Sequence, residues 1–475
     1  MVLSFSEMKL EELSKIKSLD EALEVIKLLL IENQRLKSEN QELKERIAKL
    51  EKDSSTSSKP PSSDITKPEK ERRRPGKRKR GGQKGHKGHF RKPVEPDKVE
   101  ECHLEICPEC GSKNLGEESP NQVKTHQQAE LVIKPVELTE YRCFGRYCSC
   151  CNHVQYPELP SGVIPGQLFG PRLLSLCGYL KSTMGISITE LGHIFTEVFQ
   201  LPVARSTIQS AIFKVSSALA PCHDEALEAL PKQKALNADE TGWKEYGKKL
   251  WVWLFCTPIL ACFVIRDSRG CKVLKEILGE TFDGALTSDF YSAYTCYATA
   301  LQQFCLAHLI RDIKFLTTLP SQKDKDFGEK LLSYMRRVFK LWHDREGLSK
   351  EQFQKKVRLF ETQAQNYVYA QKFEKGTDAH RIQRRLTKHW KSIFRFLKQP
   401  DTLQPTNNDA ERDLRLLVRM RRVSQGSRGK KGQLWTARAA TVITSCRKQK
   451  RSPWEFIQNA VNAHFFQVSA PSLVV

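Results

Sequence analysis

Leucines recur every seven residues at Leu29, Leu36, Leu43 and Leu50, with Ile26, Asn33, Asn40 and Ile47 in the companion seam position. Sustained heptads predict a coiled coil, and asparagines in the seam favour a fixed register, often a dimer. A single amphipathic helix packed on the body is the plainer alternative. The pattern then lapses: Asp53–Asp64 is Ser/Pro/Lys-rich and predicts a flexible stretch. Helical spacing returns over Pro171–Leu219 as three helices, the last two near Ser187–Phe199 and Ala204–Leu219. They are parted by Gln200-Leu201-Pro202-Val203, and Arg205 opens the last. That layout suits a helix-turn-helix with its second helix in a major groove, or equally a plain helical bundle.

From Lys234 the period changes. Strands are predicted at Ala235–Asp239, Leu250–Phe255, Ala261–Arg266, Gly284–Ser288 and Leu301–Phe304, with a helix at Cys271–Leu278. Leu250–Ile265 is uncharged, but it is 16 residues long and contains Pro258. Two buried strands joined at Thr257-Pro258 fit it better than a membrane span. Lys314–Leu397 reads as mostly helical and charged, an insertion into the α/β region.

Composition adds location to this outline. The formal charge is +23 over 475 residues. Lys67–Lys92 holds 13 basic against 2 acidic residues, and Glu411–Arg451 again 13 against 2, so each carries +11. The remainder is nearly neutral. Two concentrated cationic segments point to a polyanion, most simply double-stranded DNA. In the first segment Arg72, Arg73, Arg74, Lys77, Arg78, Lys79, Arg80 and Lys84 stand among glycines, without a core-forming pattern. Such a run lies along phosphates and supplies affinity rather than base specificity.

Fifteen cysteines and a charged, amphipathic N-terminus imply a reducing cytosol. The expected location is cytoplasmic and nucleoid-associated, with no membrane role. Cys107-Pro-Glu-Cys110 and Cys148-Ser-Cys-Cys151 are two CxxC pairs. Together they supply four thiolates to one tetrahedral, structural Zn2+. Cys143, Cys150 and His153 are nearby alternatives for the second half.

Three carboxylates carry the candidate chemistry. Asp239 and Asp289 follow predicted strands, and Glu411 opens a helix that begins at Asn407 or Asn408 as N-cap. Hard oxygen ligands at such positions suit two Mg2+ ions and in-line attack on a phosphodiester. Glu411, Arg415, Arg419 and Arg422 share one helix face, which places guanidiniums beside the acid. A solvated face with a Glu411–Arg415 pair is the bland reading. Glu240, Asp267, Asp283, Asp409 and Asp413 read as turn, cap or solvated acids.

Several stretches together resemble bacterial transposases of the insertion sequence 66 family. They are Ser57–Asp64, Gly81–Gly88, Cys107–Gly111, Asp239-Glu240-Thr241-Gly242-Trp243 and Pro405–Arg412, in the family's order. The resemblance implies a ribonuclease H-like catalytic domain with a DDE triad at Asp239, Asp289 and Glu411. It implies cleavage and strand transfer at the ends of an insertion sequence, and a helical insertion before the glutamate. An N-terminal zinc domain is implied as well. Cys305-Leu-Ala-His308 resembles the CxxH signature of several transposase groups, with His308 supporting the site. The extra residues in Tyr141–Cys148 depart from the simplest zinc half.

The expected layout is therefore multidomain. A coiled-coil helix spans 1–52, a flexible basic linker 53–98, a zinc-binding domain 99–160 and a helix-turn-helix-like region 165–230. The ribonuclease H-like α/β domain occupies 232–312 and 401–465, interrupted by the helical insertion 313–400, and 466–475 is a tail. Expected partners are element-end and target DNA, a second copy through the coiled coil, and element-encoded accessory proteins. The rival reading is a catalytically inactive, transposase-derived DNA-binding regulator. A zinc scaffold dimerised by its coiled coil is a third.

Overall fold

The computed structural model describes residues 18–53, 56, 95–101, 103, 105, 108–113, 127–129, 131–132, 134–151, 153–297 and 301–474. The chain divides into two compact units, Met1–Pro68 with Arg142–His193 and Val203–Val475, and Glu69–Tyr141 with Ile194–Pro202. In the smaller unit, Pro108–Cys110 forms a turn. Gly111 follows it at φ 71, a left-handed position suited to glycine. Ile194–Val198 is a π-helical turn.

The larger unit opens with helix α1, Leu19–Leu50. Its heptad leucines are exposed, Leu29 at 44% and Leu43 at 56%. Strands β1 (Arg146–Cys148) and β2 (His153–Gln155) form a short antiparallel hairpin. Helices α2 (Pro171–Met184), α3 (Ile188–His193), α4 (Arg205–Ala218) and α5 (Ala220–Ala229) follow. Helix α4 buries Ile208, Ile212 and Val215 along one side and leaves Arg205 exposed.

The centre is a five-stranded mixed sheet. It comprises β3 (Ala235–Glu245), β4 (Lys248–Cys256), β5 (Ala261–Arg266), β6 (Ala285–Ser288) and β7 (Leu301–Phe304), in the order β5-β4-β3-β6-β7. The first three strands pair antiparallel, while β6 lies parallel to β3 and β7 parallel to β6. Helix α6 (Lys272–Leu278) and the short α7 (Ser292–Cys296) occupy the connections. The mixed α/β expectation holds, and four of the five strands fall within two residues of their predicted bounds.

Strand β3 is the exception. It runs on through Asp239-Glu240-Thr241-Gly242-Trp243 and ends at Glu245. Acids and glycine are poor strand formers, but each of these residues pairs with β4, from Asp239↔Leu254 to Glu245↔Lys248. Cross-strand pairing thus outweighs local preference. Tyr246 and Gly247 close the hairpin with φ 45 and 83, the left-handed pair a two-residue turn requires.

Val252, Trp253, Leu254 and Phe255 are all fully buried in succession, so β4 is covered on both faces. One face packs on α12 (Asn408–Ser424) and α13 (Lys430–Lys448), where Trp243, Val252, Leu254 and Phe263 meet Ala410, Leu414, Leu417 and Ala440. Helix α14 (Pro453–Phe466) packs back on α2 and α4. The turn between β4 and β5 is closed by Thr257 N–H donating to the Leu260 carbonyl at 2.8 Å. Among the described residues no helix is long and apolar enough to cross a membrane.

The region after β7 holds α8 (Leu306–Leu316), α9 (Gln322–His343), α10 (Lys350–Ala370) and α11 (Asp378–Ile393). Its core is continuous with the sheet edge: Ala285 and Phe304 belong to the same buried cluster as Leu331, Phe360 and Trp390. Buried Gln303 fastens the two. Its amide donates to the Phe304 carbonyl at 2.7 Å and the Ile393 carbonyl at 2.9 Å, and Phe396 N–H donates to its oxygen at 2.9 Å. Gln303→Ala should strand those groups without partners and cost about 2–4 kcal/mol. Chemical denaturation checks this; a loss under about 0.5 kcal/mol, the level of an ordinary surface change, would contradict it.

Candidate active site

The sheet register brings two aspartates side by side. Asn237 pairs with Thr287 across the parallel β3–β6 ladder, so Asp239 and Asp289 each stand two residues further on. Neighbouring strands lie about 4.8 Å apart, and the charge of Asp289 raises Asp239 across that gap. Asp239 Oδ1 accepts the Glu240 N–H at 2.9 Å. Asp289 Oδ1 accepts the Tyr291 N–H at 2.8 Å, closing an Asx-type turn after β6.

Glu411 arrives on α12 through a contact that sequence reading assigned differently. Asn407 is the N-cap by position, but its side chain makes no cap bond. It is fully buried, and its amide donates to the Ala238 carbonyl at 2.8 Å. Its own N–H donates to Cys305 Sγ at 3.2 Å. Glu411 lies one turn on, its N–H donating to the Asn407 carbonyl at 3.1 Å. The far end of α12 is fastened to β3 as well. Arg421 donates to the Gly242 carbonyl and, at 3.3 Å, to Thr241 Oγ1. Trp243 Nε1 donates to Ser427 Oγ at 3.2 Å. A Cβ on Gly426 would meet the Lys244 carbonyl oxygen at 2.1 Å, so only glycine fits there.

Burial, then the charges of Glu240, Asp289 and Glu411, push Asp239 well above the usual carboxylate range. Burial also raises Asp289, against the pull of the Tyr291 N–H and of Arg269 and Arg385. Glu411 does not pair with Arg415. Its Oε2 faces Arg311 Nη2 at 3.7 Å, and its Oε1 faces His308 Nδ1 at 3.8 Å. Burial holds His308 below the usual imidazole value despite Glu411, so its ring is neutral near pH 7. An Asp239 raised by three acidic neighbours, together with a buried Glu411 oxygen without a hydrogen-bond partner, is a donor set suited to a divalent cation.

Glu240 is not a turn or solvated acid. Its side chain is 1% exposed and takes Arg269 at 2.6 Å and the Tyr294 hydroxyl at 2.5 Å. The Arg269 guanidinium also stacks on Tyr291 and Trp251, 3.8 and 4.6 Å from their ring centres. Burial and Asp289 raise Glu240 too. Asp413 is likewise mostly buried, paired with Lys448 at 2.8 Å. Both follow from element identity: a strand running through Glu240 buries it, and a helix under β4 buries Asp413.

Arg415, Arg419 and Arg422 are exposed on α12. Arg415 and Arg419 line a cavity of about 630 Å³ with Arg412, Arg447 and Lys448. Arg419 also donates to the Thr183 carbonyl at the end of α2. The basic run from Arg72 to Lys84, and Cys107, lie outside the described residues. Cys148 ends β1 and Cys151 lies in the following turn, its sulfur accepting the Gln155 amide at 3.3 Å. Cys110 and Cys151 belong to different compact units.

Removing a mutually repelling acid should stabilise the metal-free protein. A carboxyl raised by folding contributes stability that is present below its unfolded pKa and lost as pH rises through the folded value. In magnesium-free buffer, Asp239→Asn should melt at least about 2 °C above the parent near pH 7, the gap closing toward about pH 4. Equal melting across that range would show that the acids do not strain one another.

A family model described as Transposase IS66 family matches residues 166–434. Another, described as a family of unknown function (DUF6444), matches residues 9–92. The Uncharacterized protein y4hP of Sinorhizobium fredii (strain NBRC 101917 / NGR234) is 23% identical over 410 residues, covering 77% of this chain and 72% of its own length.

Proposed function

The chain belongs to the IS66 transposase family, and from that premise we propose a DDE transposase that cuts DNA at the ends of an insertion sequence and transfers the freed strand. The convergence of Asp239, Asp289 and Glu411 carries this reading: the β3–β6 register sets the first two, and the Asn407 clamp sets the third. The strand order, with two parallel strands beside an antiparallel three-strand meander, supports a ribonuclease H-like domain interrupted by α8–α11.

The three carboxylates would hold two Mg2+ ions. When bound, such ions polarise the scissile phosphate and activate an attacking water or 3′-hydroxyl. The protein's part is to present desolvated oxygens in fixed places. Neutral His308 would act as a positioning residue, limiting the swing of Glu411 from one side while Arg311 holds the other. Arg415 and Arg422 would take phosphates beside Glu411. Arg419 has donors left for a phosphate beyond its bond to Thr183. Arg205 would meet DNA from the start of α4.

The basic residues Arg72 to Lys84 would lie along element-end DNA. The pairs Cys107–Cys110 and Cys148–Cys151 each have the spacing of half a structural Zn2+ site. The exposed leucines of α1 would pair two protomers, so that two ends are handled together, with element-encoded accessory proteins as further partners. Cytoplasmic, nucleoid-associated action follows from a DNA substrate. A DNA-binding regulator without chemistry would gain stability by losing the buried acids.

Asp289→Asn should lower magnesium-dependent nicking of an end-bearing duplex at least about 1,000-fold, a loss of about 4 kcal/mol in the barrier term. Binding of the same duplex should stay within about threefold, since phosphate contacts carry it. Nicking at the parental rate would refute the assignment.

A further inference from the structure

One cluster beside the acids has the wrong chemistry for magnesium. Ligand atoms of Cys305, His308 and Glu411 all lie within 4.8 Å of one another. His308 Nδ1 and Glu411 Oε1 face each other at 3.8 Å, and both are buried without a hydrogen-bond partner. Two orphaned polar atoms aimed into one small space are costly unless something sits between them. Nitrogen and oxygen donors held at roughly 2.0–2.2 Å by a tetrahedral ion stand roughly 3.3–3.6 Å apart. The imidazole and carboxylate, at 3.8 Å, are therefore within about half an ångström of that spacing.

Cys305 is built into the same corner. It occupies the N-cap position of α8, three residues before His308, so both project from the first turn. The Asn407 N–H donates to its sulfur. Burial raises the Cys305 thiol, and the backbone N–H groups of Asn407, Ala307 and His308 pull against it. Thiolate and imidazole select a borderline-soft metal over magnesium. Arg311 engages Oε2 of Glu411, which leaves Oε1 to the cluster. Three protein ligands leave a fourth position for water or phosphate.

We propose that Cys305, His308 and Glu411 form a Zn2+ site whose occupation draws Glu411 from the Asp239–Asp289 pair and inhibits magnesium-dependent cleavage. The inhibitory half rests on the transposase reading above; the binding half does not. One carboxylate serves two neighbouring cation sites, and the softer set holds it when zinc is free.

The test uses the full chain and Co2+ as a spectroscopic stand-in. The parent should bind one more Co2+ than Cys305→Ser or His308→Ala, with an added thiolate-to-cobalt band in the difference spectrum. The double variant Asp239→Asn/Asp289→Asn should keep that extra ion. In magnesium-supported nicking, Cys305→Ser should need at least about tenfold more Zn2+ for half inhibition than the parent. Equal cobalt counts in the parent and both single variants would overturn the site, and equal zinc sensitivity would overturn the inhibition. If the parent never nicks DNA, the transposase reading fails while the cobalt count still decides the site. His308→Ala keeps the binding claim testable should Cys305→Ser fail to fold.

Discussion

A single buried amide, Asn407, decides where the third carboxylate stands. Its bond to the Ala238 carbonyl ties the start of α12 to the residue before Asp239, and its N–H ties the same point to Cys305. Glu411 follows one turn later, so its direction is set by helix geometry. A slip of one residue along α12 would rotate that side chain by about 100° and turn it from the sheet. Arg421, Ser427 and Gly426 repeat the fastening at the far end of β3. The Asp239–Trp243 and Asn407–Arg412 stretches are thus two sides of one contact. Asp239 faces the acids, while Gly242 and Trp243 receive the helix that carries Glu411.

That contact works against electrostatics. Burial raises Asp239, Asp289 and Glu240; Glu240, Asp289 and Glu411 raise Asp239 further, Asp289 raises Glu240, and Glu411 raises Asp289. Left to relax, like charges separate; here they are fixed to a sheet buried on both faces and a helix pinned at both ends. Glu240 shows how the fold limits the cost. It lies next to Asp239 in a strand, where successive side chains point to opposite faces. Arg269 and Tyr294 meet it there and satisfy its oxygens. Asp239 has the Glu240 N–H and no comparable cation. Glu240, whose oxygens are satisfied, belongs to the framework, whereas Asp239 is the acid of this group with no cation set against it.

The sequence disclosed elements more readily than partners. Uninterrupted apolar runs placed β4 and β5, because a strand covered on both faces is apolar nearly throughout. Asp239, Asp289 and Glu411 stood out because each falls where a turn or helix start was expected. The extent of β3 was hidden: its second half has a composition that opposes a strand, and only pairing with β4 makes it one. Glu240 was misread for the same reason. Asn407 looked like a cap because its local context is that of a cap; its acceptor lies 169 residues away. The arginine stripe was legible as a stripe, yet Arg421, which is off it, makes the bond to β3. Spacing gives the face of a helix, not what lies opposite.

The long excursion between Asp289 and Glu411 follows the same logic. A connection of over a hundred residues adds closure entropy only slowly with length, each doubling costing about 0.6 kcal/mol. What it endangers is the precision of its two ends. Here they are sewn together at the root: Cys305 N–H donates to the Ser288 carbonyl at 2.8 Å, and Leu306 N–H to the Pro405 carbonyl at 2.9 Å. Asn407 adds its bond to Cys305, and Gln303 fixes the returning end of α11 to β7. The chain therefore leaves and re-enters the sheet at one point that is rigid regardless of what α9 and α10 do. A large helical body can be carried there, and can meet a partner, without disturbing carboxylates whose spacing is set by bonds of about 3 Å.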